Sequence, residues 1–193
     1  DYVGGIAGGL GNKLAEAIRA DDSVSVTTNG NYVIGNNYVG GITGINNIGI
    51  KLKNCVNNGV AASYQKYAGG IVGYNENGAT IHDCASYLSD YDNSVFNMIV
   101  DKWKATGDYA GGIAGYNDGK IEFTKDSEAI TVKSVSSIIV GNNYVGGVAG
   151  RGEDVSVNYV CSYLDMDSYV KSSGAVVGKA DGVVKDNYFV DNG

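Results

Sequence analysis

The chain has 193 residues, with 30 Gly, 20 Asn, 15 Tyr and no Pro; this excludes collagen, whose triple helix needs Pro and a strict three-residue Gly period. A hydrophobic content of 44% excludes a disordered linker, which buries too little apolar surface to fold. Net charge is −7 with the 14 Lys and Arg dispersed, so nucleic acid, which demands a concentrated basic footprint, is not an expected partner. No run approaches the ~18 apolar residues that span a bilayer, so no membrane insertion is expected.

The first element is Tyr2-Val3-Gly4-Gly5-Ile6-Ala7-Gly8, and it recurs as the segments starting at Tyr38, Tyr67, Tyr109 and Tyr144, with a degenerate sixth copy at Ser172. Successive spacings are 36, 29, 42, 35 and 28 residues. A near-constant heptapeptide separated by variable filler is the pattern of rungs stacked on one another, with loops that leave the stack and return. Gly35 to Gly41 reappears unchanged as Gly141 to Gly147, which marks duplication. The chain starts Asp1-Tyr2-Val3 with neither Met nor an apolar leader, and the expectation is a fragment of a longer chain.

At period two the heptapeptide reads as one short strand, with Tyr, the first Gly and Ile on one face. Its Gly-Gly pair signals something approaching the backbone closely at that level of every rung, a second layer formed by the inserts being the expectation. Downstream of the first copy, Asn12 caps a short helix over Lys13 to Ala20, whose Leu14, Ala17 and Ile18 form a stripe that packs on the stack. Asn46, Asn75 and Asn117 each lie two residues past the last Gly of their copy. With Gly49, Gly78 and Gly119 they mark tight corners that can stack into an asparagine ladder. Second strands follow over Ile50 to Lys53, Thr80 to Asp83 and Lys120 to Thr124. Third strands are expected in the filler, at Ser23 to Val26, Phe96 to Val100 and Ala129 to Val132. The fold class is therefore all-β: a single parallel β-solenoid over 1–193, right-handed by the crossover rule, with rungs starting near 2, 38, 67, 109, 144 and 172. Six rungs at ~4.8 Å make a rod about 29 Å tall.

The string from Tyr67 to Cys84, Tyr-x-Gly-Gly-Ile-x-Gly-Tyr-Asn-x-x-Gly-x-x-Ile-x-x-Cys, resembles the GLUG repeat of bacterial secreted and cell-surface proteins. Tyr38 to Cys55 is similar, and Tyr109 to Ile121 follows the pattern in shortened form. Such repeats occur in adhesin-like wall proteins and in IgA-specific metallopeptidases. The resemblance implies a non-catalytic repeat module, secreted or at the cell surface. A peptidase would need His-Glu-x-x-His to hold zinc, and this chain has one histidine, His82.

Candidate chemistry is sparse. Cys55, Cys84 and Cys161 each stand 11 residues past the last Gly of their copy, which by repetition places them in one column as buried free thiols, but the strand phase at Cys161 differs, because Asn158 stands where Leu52 and Ile81 stand relative to their cysteines. Parallel in-register neighbours hold Cβ atoms near ~4.8 Å, whereas a disulfide wants about 3.8 Å. His82 lies on a strand with no nucleophile in its local motif and is assigned no role. Alternating carboxylates at Asp90 and Asp92, and at Asp165 and Asp167, are weak calcium candidates or solvated loops, because neither stretch has the closing Glu of an EF-hand. Trp103, at the end of the longest insert, either stacks on a sugar or fastens that insert to the rod. The tyrosine column is expected to stack rung on rung. No catalytic residue and no cofactor is expected. The favoured function is a rigid spacer or adhesin-like binding scaffold whose partner is a host or matrix protein or a glycan. A polysaccharide-binding or polysaccharide-degrading β-helix is the alternative, with Asp83, Asp90, Asp92, Asp165 and Asp167 as available carboxylates. A fibre subunit that self-associates end to end is the third.

Overall fold

The computed structural model describes residues 1–10, 23–25, 27–87, 107–122, 135–136, 138–156, 159–161, 165–168 and 172–190. These build a parallel β-solenoid of six rungs, with no helix among the described residues. The helix expected over 13–20 and the strands expected over 96–100 and 129–132 lie outside the described residues.

Four six-stranded parallel sheets run along the rod. The first stacks Tyr2–Gly4, Tyr38–Gly40, Tyr67–Gly69, Tyr109–Gly111, Tyr144–Gly146 and Ser172–Gly174. The second stacks Ala7–Leu10, Thr43–Asn46, Val72–Asn75, Ala114–Asn117, Ala149–Gly152 and Val177–Ala180. The third holds Ser23–Val24, Lys51–Lys53, Thr80–His82, Lys120–Glu122, Val155–Ser156 and Val184–Lys185. The fourth holds Thr27–Gly35, Val56–Ser63, Ala85–Tyr87, Val135–Ser136, Tyr159–Cys161 and Tyr188–Val190. A fifth, two-stranded sheet pairs Ile138–Gly141 with Asp165–Ser168.

Each turn thus has four strand positions where the sequence suggested three. The heptapeptide is not one strand: it breaks at its Gly-Ile step and supplies both the first and the second sheet. Ile42 therefore does not share the face of Tyr38 but turns into the core, fully buried, together with Ile71, Ile113 and Val148. The corner continues the ladder. The amides of Ile42 and Thr43 both donate to the Ile71 carbonyl, at 3.0 and 3.1 Å, and those of Ile71 and Val72 both donate to the Ile113 carbonyl at 2.9 Å. Bending costs no backbone hydrogen bond, which is the condition for burying a corner.

The Gly pair does mark a close approach, but by the stack itself. A Cβ on Gly40 would lie 1.9 Å from the carbonyl oxygen of Thr43, across its own corner. One on Gly70 would lie 2.1 Å from the Gly112 oxygen and 2.0 Å from Ser86 Oγ, a side chain of the fourth sheet.

Buried ladders fill the interior. Leu52, Ile81, Ile121 and Val155 form the third sheet's inner column, all essentially without exposure. Asn46, Asn75 and Asn117 are fully buried in register. The Asn46 Nδ2 group donates to Asn75 Oδ1 at 2.8 Å, and Asn75 Nδ2 to Asn117 Oδ1 at 2.7 Å. Asn117 Nδ2 closes the ladder on the carbonyl oxygens of Gly119 and Glu153. At the other end the first rung has Leu10 opposite Asn46, so Asn46 Oδ1 finds no donor. A second polar ladder joins Thr28 Oγ1 to Asn57 Oδ1 at 2.6 Å and Asn57 Nδ2 to Ser86 Oγ at 3.5 Å.

Cys55 and Cys84 are buried thiols not joined in a disulfide, as the sequence implied. Cys161 is not in their column: Val160 pairs with Val135, which pairs with Ser86, so Cys161 stands level with Tyr87. The corner before Val155 is three residues shorter than the one before Ile81, counted from Gly150 and Gly73. Asp154, at φ 47°, makes that turn where Gly78, at φ 81°, makes it two rungs earlier.

Candidate functional site

On the outer surface of the first sheet, Tyr2, Tyr38, Tyr67, Tyr109 and Tyr144 stack in register. Their successive ring centroids are 4.7, 5.1, 5.2 and 5.4 Å apart. The first three pairs are tilted by 30 to 40°, and Tyr109 and Tyr144 stack at 22°, so the rings touch edge over face along the column. The column runs rung on rung, as its sequence spacing implies.

A second column runs beside it on the second sheet: Ile45, Tyr74, Tyr116, Arg151 and Lys179, each the residue after the last Gly of its heptapeptide. The two columns interlock, with Tyr67 to Tyr74 at 6.2 Å and Tyr67 to Tyr116 at 5.4 Å. Two residues farther along each rung, at the corner to the third sheet, stand Asn47, Glu76, Asp118, Glu153 and Asp181. The corner amides of the last four donate to the carbonyls of Asn46, Asn75, Asn117 and Gly152, at 2.9 to 3.1 Å. Solenoid winding therefore lays aromatic, mixed and acidic columns side by side.

The columns are coupled. Tyr74 donates its hydroxyl to Asp118 Oδ2 at 2.6 Å. Burial, reinforced by Asp118, pushes the Tyr74 phenol well above its ordinary value and the Tyr116 phenol up to about 12. Burial also raises Tyr67, between Tyr38 and Tyr109. The Arg151 guanidinium lies 4.9 Å over the Tyr116 ring and ion-pairs with Asp181, while Lys179 Nζ lies 5.7 Å over Tyr144 and 3.4 Å from Asp181 Oδ1. The Arg151 hydrogen bond holds the Asp181 carboxyl below the usual carboxylate range. Beside Tyr74 an open hollow of about 370 Å³ is lined by Ile48, Tyr74, Glu76 and Asn77. Ile48 is 56% exposed there, and its backbone N–H donates to Glu76 Oε2 at 3.2 Å.

The sequence-derived candidates lie elsewhere. His82 is on a strand of the third sheet, Nδ1 2.9 Å from Asp83 Oδ2 and Nε2 4.0 Å from Glu122 Oε1, with Lys120 Nζ 2.6 Å from Glu122 Oε2. The Cys84 sulfur receives the Cys55 N–H at 3.4 Å and lies 3.3 Å from the His82 carbonyl oxygen. Burial, with Cys55 beside it, pushes the Cys84 thiol well up, the opposite of what a nucleophile needs. Asp165 and Asp167, read as part of a loop, lie in the strand Asp165–Ser168. In-register pairing with Ile138–Gly141 recruits that segment, just as Tyr32 to Gly35 pairs with Val60 to Ser63 in the first two rungs. Trp103, Asp90 and Asp92 lie outside the described residues. Among the described residues no three His, Cys, Asp or Glu side chains group closely enough to hold a metal.

Residues 64–86 match the family model described as the GLUG motif. The chain carries a GLUG motif. That stretch enters through the corner before Tyr67 and takes in Tyr67–Gly69, Val72–Asn75, Thr80–His82 and the start of Ala85–Tyr87. The motif thus spans the first three sheet positions of one turn and enters the fourth, and the chain is consistent with a GLUG-repeat region. Comparison with curated proteins and with solved structures gives no match. Sequence reasoning passed over Tyr74, Tyr116, Arg151, Lys179 and the acidic column. Aligning the copies one and three residues beyond the last Gly of each heptapeptide exposes both columns.

Proposed function

We propose that the chain is a non-catalytic GLUG-repeat module of a longer bacterial protein, secreted or held at the cell surface, where it acts as a rigid spacer and adhesin-like binding scaffold. The observation that carries this is the contrast between frame and filler. Six rungs keep strand register across four sheets, while the sequence between their strands varies from a few residues to the long intervals 11–22, 88–106 and 123–134. A frame that tolerates insertions at different corners displays them without depending on them. Its partners on this reading are host or matrix proteins or their glycans.

The test replaces residues 89–105 by a short Gly/Ser linker and compares both chains by circular dichroism, urea unfolding and adsorption to immobilised fibronectin, collagen and mucin. Unchanged unfolding with altered adsorption is the expected result. Loss of the folded state on replacement refutes the display scaffold, and adsorption of neither chain to any of the three surfaces refutes the adhesin-like role.

A further inference from the structure

We propose that Tyr74 and Tyr116 form an oxidative cross-linking site, at which a haem peroxidase with hydrogen peroxide joins the two rings into a dityrosine and fastens the third rung covalently to the fourth. The site lies in the frame and not in the inserts, so it stands whether or not the module is an adhesin.

Both residues belong to the second-sheet column and face each other in register on adjacent rungs. Their ring centroids are 5.3 Å apart with the planes at 52°, so rotation about side-chain bonds brings the ring edges together while the strands stay in register. Asp118 sharpens the placement. Tyr74 donates its hydroxyl to Asp118 Oδ2 at 2.6 Å, and Asp118 is also a hydrogen-bond partner of the Tyr116 phenol. Two hydroxyls that converge on one carboxylate bring together the ortho carbons beside them. Those carbons carry much of the unpaired spin of a tyrosyl radical and are where two such radicals couple.

Asp118 also supplies what a part-buried phenol lacks. Burial raises both phenols, so at neutral pH neither is present as the easily oxidised phenolate. A neutral phenol that loses an electron must shed its proton as well. The Asp118 carboxylate stands 2.6 Å from the Tyr74 hydroxyl to take that proton and, being partly exposed, passes it to water. The Arg151 guanidinium, 4.9 Å over the Tyr116 ring, opposes removal of an electron there, which makes Tyr74 the first of the pair to react. Tyr38 and Tyr67 lie 6.1 and 6.2 Å from Tyr74, and Tyr67 and Tyr109 lie 5.4 and 6.1 Å from Tyr116. An electron vacancy formed elsewhere on the column therefore reaches the pair in short hops. Each ring gives up one electron and its hydroxyl proton. The two neutral radicals then form one carbon–carbon bond between ortho carbons, and the hydrogen on each of these carbons moves to its phenol oxygen, restoring both hydroxyls. The two electrons and two protons reduce one hydrogen peroxide to two waters. The new bond ties residues 42 apart in the chain and restricts the unfolded state as a cross-link does.

The test treats the full chain, dilute, with a haem peroxidase and hydrogen peroxide, then maps the recovered monomer by mass spectrometry. The expected product joins the Tyr74 and Tyr116 peptides, is two hydrogens lighter than their sum, shows dityrosine fluorescence and unfolds at a higher urea midpoint than the parent. Oxidation of the urea-unfolded chain at matched peroxidase activity should give at least about tenfold less of it, because proximity is then lost. Asp118→Asn, checked for folding by its urea curve, should form the link about tenfold more slowly at neutral pH, the proton acceptor being gone. That deficit should close as pH rises into the range where the phenols ionise by themselves, a recovery that a purely positional effect of Asp118 does not produce. Tyr32 and Tyr64, 52% and 44% exposed, are the rings an oxidant meets first on surface access alone. Four results overturn the proposal: no link between Tyr74 and Tyr116 in the folded monomer, links made mainly at Tyr32 or Tyr64, equal yields from folded and unfolded chains, or an unraised urea midpoint. Equal rates for Asp118→Asn and the parent at neutral pH remove Asp118 as the proton acceptor.

Discussion

Replacing Asn75 by Ala cuts the buried asparagine ladder in the middle. Asn75 accepts from Asn46 at 2.8 Å and donates to Asn117 at 2.7 Å. Its loss strands Asn46 Nδ2, whose other contacts, to the carbonyls of Ile50 and Thr80, sit at 3.5 Å, and it strands Asn117 Oδ1. Two buried polar groups left unsatisfied cost about 1–3 kcal/mol each, so Asn75→Ala should destabilise by about 4 kcal/mol. Asn46→Ala cuts the ladder at its end. It strands only Asn75 Oδ1, and it removes an oxygen that already lacks a donor, so the cost should be about 1–2 kcal/mol. Urea unfolding at a common slope reads both values. Fraying of the stack from its ends would by itself make a substitution in rung two cost less than the same one in rung three. Ile42→Val and Ile71→Val, fully buried in the same two rungs, control for that and should cost the same. Equal costs for Asn46→Ala and Asn75→Ala, or less than about 1 kcal/mol for the latter, would refute the ladder as a source of stability.

Four further outcomes follow from the same geometry. Gly70→Ala puts a methyl group 2.0 and 2.1 Å from Ser86 Oγ and the Gly112 oxygen and should abolish the native transition. Gly49→Ala, in open space at φ 82°, should cost only the left-handed penalty of about 1–2 kcal/mol on unfolding. Cys84 should resist thiol-labelling reagents until the chain unfolds. Because its folded pKa is raised, its contribution is present below the unfolded thiol pKa of about 8.5 and is lost as pH rises past it, so urea midpoints should fall on the alkaline side less for Cys84→Ala than for the parent. Asp118→Asn should lower the ionisation of Tyr116 from about 12 and of Tyr74 from its raised position, seen as an earlier phenolate transition in an ultraviolet titration; an unmoved transition would exclude Asp118 as the cause.

The repeat was legible because a rung must match its neighbours at the same positions. Ile42, Ile71 and Ile113, and Asn46, Asn75 and Asn117, recur at fixed offsets from their Gly pairs, and they form the ladders that spacing implied. Strand breaks were not legible. Tyr-Val-Gly-Gly-Ile-Thr-Gly satisfies a period of two from end to end, and only the approach of the Thr43 oxygen to Gly40 shows that the chain folds back there. Counting residues from the last Gly likewise puts Cys161 in the column of Cys55 and Cys84, and only Asn158, standing where Leu52 and Ile81 stand, signals the shifted phase that the shorter corner at Asp154 produces. The fourth sheet went unnoticed for a related reason. Thr27–Gly35 and Val56–Ser63 carry Asn and Gly in a strand that buries Thr28 and Asn57 against each other, so their polar residues look like turn signals and are core.

The outer columns follow from the same constraint in reverse. Inside the stack, one position admits one shape: a side chain at Gly41 would meet Asn57 at 2.5 Å and the Gly70 oxygen at 2.2 Å. One residue past the heptapeptide, Ile45 is buried, but Tyr74, Tyr116, Arg151 and Lys179 are partly exposed and need only clear their neighbours. Aliphatic, aromatic and cationic residues all occupy that position without disturbing register. Chemistry can therefore change along this column from rung to rung while the backbone stays the same, as it changes from the Tyr74 hollow to the Arg151 and Asp181 pair. The outer surface thus varies from rung to rung on a frame whose register does not.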